Sequence, residues 1–204
     1  KKREKDFSDK LKMQLKFLTS YTKNHNLSND FYTLWSNFFK YKILQKKLFL
    51  GFDQKHINEF PSEYVDAIRK EGLAQQSDTY FFLKPYKLAM LFLADIMDSL
   101  ENHNLYRDTY RMYDLRRSKF DSKTRDYLLT NLVSSLIQAA KENKISEHTL
   151  DSLSTRYFND CKNDAYKSDI KSMLKTLSIS GDESTQLKSY DWKDVNLAQI
   201  TSSS

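Results

Sequence analysis

The sequence predicts an all-α fold, and three observations carry that prediction. Apolar residues recur at helical spacing along almost the whole chain. Gly and Pro number only 3 and 2 in 204 residues, where average usage would give about 14 and about 10. Residues that cap helices stand ahead of most of the periodic stretches. So few chain breakers exclude a turn-rich sandwich or barrel. A hydrophobic content of 39%, with 13 Tyr, 13 Phe and 2 Trp, is enough to build a core and excludes wholesale disorder.

Each element follows from its own pattern. Ser8 is placed to cap a first helix with the stripe Leu11, Leu15, Leu18 and Tyr21. Ser28 caps a second, with Leu27 and Tyr32 as a hydrophobic staple. Its stripe is Phe31, Leu34, Trp35 and Phe38, and it runs to about Leu48, before Gly51 and Phe52 break the pattern. Pro61 fits the first turn of a short third helix. Gly72 fits its C′ position, with Leu73 folding back on Ile68. A fourth helix, from about Pro85 to Asn102, is apolar on most sides and is expected to be central, with Leu91 and Phe92 in the core.

The second half reads the same way. Helix five covers about 105–118. Asp121 is placed to cap helix six, whose stripe is Leu128, Leu132, Leu136 and Ala140, thickened by Val133 and Ile137. Ser146 caps helix seven, with Ile145 and Leu150 at staple spacing and Glu147 in the first turn, where the helix dipole favours an anion. Asn163 caps helix eight, with Tyr166, Ile170, Met173, Leu174 and Leu177 on one side. About eight helices joined mostly by short loops make antiparallel α-hairpins, as a bundle or an irregular helical repeat. The helical domain is expected over 1–178. Residues 179–204 then form a linker and an extended or irregular amphipathic tail, in which Tyr190, Trp192 and Leu197 are candidates for docking on the helical body or on a partner.

Charge is distributed in blocks. The net charge is +6, and three segments, 1–16, 38–50 and 105–125, each carry +4. In the last of these, Arg107, Arg111, Arg116, Arg117 and Lys119 alternate with Tyr106, Tyr110, Tyr113 and Phe120. Guanidinium groups grip phosphates through paired hydrogen bonds, and tyrosine rings stack on bases. The block therefore suits RNA, single-stranded DNA or an acidic protein segment. The competing reading turns the tyrosines to the core and leaves the arginines solvated or paired with Asp108 and Asp114.

Catalytic chemistry finds little support. Isolated glycines exclude a phosphate loop or a dinucleotide fingerprint. His25, His56, His103 and His148 are scattered, without the i, i+4 pair that shares a metal. Cys161 is the single cysteine, which excludes a disulfide framework and a multi-cysteine zinc site. Asp95 lies in an apolar run and reads as a register-fixing partner for Arg69, Arg111 or Arg116 rather than as a general acid. No cofactor and no metal are expected. The lone cysteine, the missing signal-like start and the longest apolar run, Leu88 to Met97, point to an intracellular protein, cytoplasmic or nuclear, without a membrane span. The chain begins at Lys1, as a piece of a longer protein would. The expected function is that of a non-enzymatic helical scaffold or adaptor module that binds another protein. The alternative is a nucleic-acid-binding domain that uses 105–125.

Overall fold

The computed structural model describes residues 2–51, 62–101, 108–179, 187–188 and 194–195. It contains eight α-helices among these residues: α1 (Lys2–Asn24), α2 (Asn29–Gly51), α3 (Ser62–Ala74), α4 (Lys84–Glu101), α5 (Thr109–Lys119), α6 (Ser122–Lys141), α7 (Glu147–Asp160) and α8 (Asp164–Ile179). A 3-10 turn, Asp78–Tyr80, precedes α4. Two short antiparallel strands, Leu187–Lys188 and Asp194–Val195, pair Leu187 with Val195. The tail candidates Tyr190, Trp192 and Leu197 lie outside the described residues. The all-α expectation holds. The contacts gather into two compact units, residues 1–108 and 109–204.

Helix ends show how a glycine-poor chain stops its helices. Asn26 and Asn143 take left-handed φ values of 49° and 54°. Asparagine is the side chain that visits this region most readily after glycine. After α1, Leu27 N–H reaches Thr22 C=O at 3.0 Å and Asn26 N–H reaches Lys23 C=O at 3.3 Å. After α6, Lys144 N–H reaches Ala139 C=O at 2.8 Å and Asn143 N–H reaches Ala140 C=O at 2.9 Å. Both are Schellman endings built on Asn. Three of the expected N-caps are present. Ser28 Oγ accepts from Phe31 N–H, Ser146 Oγ from Thr149 N–H, and Asn163 Oδ1 from Tyr166 N–H. Asp121 stands at the N-cap of α6, but its side chain makes no capping hydrogen bond. Ser8 is no cap at all, because α1 begins six residues earlier, at Lys2.

In the first unit α2 packs chiefly against α4, α1 against α2, and α3 against α4 and α2. The inward face of α4 is Tyr86, Ala89, Met90, Leu93, Ala94, Ile96 and Met97. Leu91 and Phe92, expected in the core, are only half-buried. The reason is rotation: burial follows the 86, 90, 93, 97 line, and 91 and 92 lie beside it. Phe92 instead meets the ring of Phe49 at 5.5 Å. Tyr41 of α2 sets its ring edge-on to Tyr86 at 4.9 Å and donates to Gln75 C=O at 3.1 Å. Lys47 of α2 pairs with Glu71 of α3 at 3.0 Å.

Gly72 is not the C′ residue of α3. It lies inside the helix, which continues to Ala74, and no glycine among the described residues has a positive φ. It is buried, and a Cβ there would meet Leu93 Cδ2 at 2.8 Å. Its role is close approach of α3 to α4.

The core of the second unit is made by Met112, Tyr113, Leu129, Val133, Ile137, Leu150, Leu153, Tyr157 and Ile170, among others. The stripes expected on α6 and α8 face inward as predicted, and Leu150, Leu153 and Tyr157 of α7 join them. Polar bonds then pin the end of α7. Asp126, nearly fully buried, accepts from Lys162 N–H at 2.8 Å and from the guanidinium of Arg125 at 3.1 Å. Thr130 Oγ1 donates to Asp126 C=O at 2.6 Å and lies 2.8 Å from Tyr157 Oη.

Replacing Leu93 with Ala should cost about 2–5 kcal/mol, as for large core deletions, and replacing Leu91 less than half of that. Gly72→Ala should destabilise by about 1 kcal/mol, because overpacking against Leu93 exceeds the gain in helix propensity. In a Leu93→Ala background the same change should become stabilising. Denaturant titrations of the four variants check both statements. Burial also pushes the phenols of Tyr113 and Tyr157 up, and that of Tyr41 to about 12. Folded values above the ordinary value of about 10 mean stability that is complete below that pH and lost as pH rises through the raised values. Melting temperature should fall with the appearance of tyrosinate absorbance. The Cys161 thiol, also pushed up by burial, should resist alkylation until the unit unfolds.

Candidate interaction surface

The basic block is mostly built into the second unit. Arg116 on α5 is 2% exposed, and its Nη1 donates to Leu128 C=O of α6 at 3.2 Å. A guanidinium held this way does not reach a phosphate. Arg117 is exposed but its Nε lies 2.9 Å from Asp160 Oδ2. Tyr113 is fully buried and donates to the same Asp160 oxygen at 3.0 Å. Arg156, paired with Asp114, lies over the Tyr113 ring at 4.7 Å. Tyr110 packs against the core. Tyr110 and Tyr113 therefore face inward; Asp160 answers Arg117, whereas Asp114 pairs with Arg156 of α7 rather than with an arginine of the block. Arg111 and Lys119 remain exposed. Arg107 and Tyr106 lie outside the described residues. Arg69, read as a partner for Asp95, pairs with Asp66 on its own helix at 3.0 Å. The carboxylate buried in that stretch is Asp98, while Asp95 is half-buried.

The exposed apolar groups lie elsewhere. Among the described residues the large hydrophobic side chains exposed to solvent are Met13, Phe17, Tyr21, Trp35, Phe49 and Phe82. All six belong to the first unit. Met13, Phe17 and Tyr21 stand four residues apart, so they form one row along α1. Met13 and Phe17 are each 66% exposed. Tyr21 was expected in the inward stripe with Leu18. The packing of α1 on α2 turns Leu18 in and Tyr21 out. The row is ordered by its own contacts: Phe17 stacks on Tyr21 at 5.9 Å, and Tyr21 on His25 at 4.3 Å. On α2, Trp35 was likewise read as core and is exposed. Its ring contacts Phe31, Phe38 and Phe39 at 5.3–6.2 Å.

Sequence reasoning missed the outer row of α1. The available signal is that α1 carries two apolar rows, Leu11, Leu15 and Leu18, and Met13, Phe17 and Tyr21. A helix with one buried face needs only the first. Among the described residues no cluster of His, Cys, Asp or Glu is arranged to hold a metal ion, and no helix is long and apolar enough to cross a membrane. No protein-family model, curated protein or solved structure matches the chain.

Arg116→Ala should destabilise the fold by about 1.5–3 kcal/mol, the range for a hydrogen bond to a charged group. Arg117→Ala removes an exposed ion pair and should cost about 0–1 kcal/mol. Chemical denaturation of the two variants separates a structural arginine from a surface one.

Proposed function

We propose that this chain is a protein–protein interaction module of a larger intracellular protein, and that it engages its partner through the outer face of α1 and α2. One observation carries this reading: every exposed large apolar side chain among the described residues belongs to the first unit, and none to the second. An apolar side chain gains nothing in water, and exposed apolar groups gathered in one region mark interaction sites. The row of Met13, Phe17 and Tyr21 has the four-residue spacing by which one helix offers a ridge to another. A non-enzymatic scaffold or adaptor role fits such a surface. The nucleic-acid alternative uses Arg107, Arg111, Arg116, Arg117 and Lys119 with the tyrosines of 105–125; the burial of Tyr113 and Arg116 and the pairing of Arg117 count against it, while Arg111 and Lys119 stay exposed.

The test uses the full chain as bait in a lysate of the source organism, with nuclease added. Specific proteins should be retained by the wild type and lost with a Met13→Glu, Phe17→Glu variant of unchanged melting temperature. Loss of all retained proteins on nuclease treatment would return the nucleic-acid reading. An identical set on wild type and variant would remove α1 from the interface.

A further inference from the structure

The hairpin that carries the exposed row is also strongly positive. The two helices, residues 2–51, carry a net charge of +7 against +6 for the whole chain; within 10–51 there are eight lysines and one acid, Asp30, with Glu4, Asp6 and Asp9 ahead of them on α1. Lys10, Lys12, Lys16, Lys23, Lys40, Lys42 and Lys46 are all exposed. Among the described residues only Lys47 of this set has a carboxylate partner, Glu71. On α1, Lys12, Lys16 and Lys23 fall on one line beside the row of Met13, Phe17 and Tyr21, since 100° per residue places them together on its outer flank. The opposite flank carries Leu11, Leu15 and Leu18 and packs on α2.

We infer that the outer row of α1 is a docking ridge for an acidic amphipathic helix of a partner protein, with Met13, Phe17 and Tyr21 seated in its groove and Lys12, Lys16 and Lys23 facing its carboxylates. This inference rests on the protein-interaction reading above and names the chemistry of the partner. Three further observations select that partner. A second copy of the hairpin would bring +7 against +7, which opposes self-association. RNA is disfavoured because residues 4–68 contain no arginine, and because Phe17 already stacks on Tyr21 while Tyr21 also meets the His25 ring. A bilayer would need a broad apolar face, whereas this row is one side chain wide and about 12 Å long at the helical rise. A ridge of that width fits the groove of a single helix. Anionic side chains on that helix would be drawn to the lysines, which lack carboxylates of their own. The preset ring stack lowers the entropy lost on docking.

The experiment is a selection from a randomised 20-residue peptide library on the immobilised full chain, counter-selected against the Phe17→Glu variant. Enriched peptides should carry net negative charge and apolar residues three or four apart. The best of them should lose at least about tenfold in affinity to Phe17→Glu, or to Met13→Glu as a second variant. A Lys12→Glu, Lys16→Glu pair should cost a similar factor, and rising salt should weaken binding to the wild type. Melting temperatures equal to wild type establish that the exposed substitutions leave the fold intact. Apolar but uncharged peptides that are lost with Phe17→Glu would overturn the acidic partner and leave the protein-interaction reading standing. Peptides indifferent to Phe17→Glu, or no enrichment at all, would overturn the docking ridge. So would wild-type binding of poly(U) RNA or phosphatidylserine vesicles that the lysine pair abolishes while no peptide is enriched.

Discussion

The contact of α2 with α4 is the constraint on which the first unit depends. Every helix of that unit has an apolar face to remove from water, and α4 has the broadest. Ala89 and Ala94 keep its surface low, and Gly72 lets α3 come within reach of Leu93. Once α2 has turned Tyr41, Leu44 and Leu48 inward, its opposite side, with Trp35, is left in water. Since α1 packs chiefly on α2, its second row of apolar side chains remains outside. The exposed row is thus a consequence of the packing order: the helix at the end of the stack has one more apolar row than it has neighbours.

The second unit solves a different problem. Its α7–α8 connection, Cys161–Asn163, must be held without glycine or proline. Side chains do this work. Asp126 takes the Lys162 amide, Asp160 takes Tyr113 and Arg117, and Asn163 starts α8. Buried polar groups are tolerated when their bonds are made, and broken bonds there cost more than made ones contribute. The concentration of arginine and tyrosine in 105–125 belongs to this scheme. Guanidinium and phenol groups are long donors that reach carboxylates and a carbonyl across helix–helix contacts.

On the proposed reading, the two units divide roles that composition alone mixes together. Arginine and tyrosine in α5 look like a binding surface because the same donors that grip a phosphate also grip Asp160 or the Leu128 carbonyl. Lysine and phenylalanine in α1 look like an ordinary helix because the long lysine stem accompanies apolar residues on many solvated faces. What separates a binding group from a structural one is whether its partners already stand within the fold.

Much of the fold was legible in the residues. Helical class follows from period and from the scarcity of Gly and Pro, which act locally and need no partner. The caps at Ser28, Ser146 and Asn163 follow for the same reason: a side chain and an amide three residues away decide them. The inward stripes of α6 and α8 were legible because the apolar residues of each fall on one side of the helix. Facing was not legible where a helix offers two rows, as on α1, or apolar residues on most sides, as on α4. Periodicity says which residues share a row, and only a neighbouring helix says which row it covers. That is why Tyr21, Trp35, Leu91 and Phe92 lie further out than expected, why Gly72 serves packing rather than a turn, and why Arg116 is inside. Local physics in the sequence determined the helices and several of their ends; the tertiary packing decided which side chains were left exposed, because burial is a property of pairs of helices and not of one.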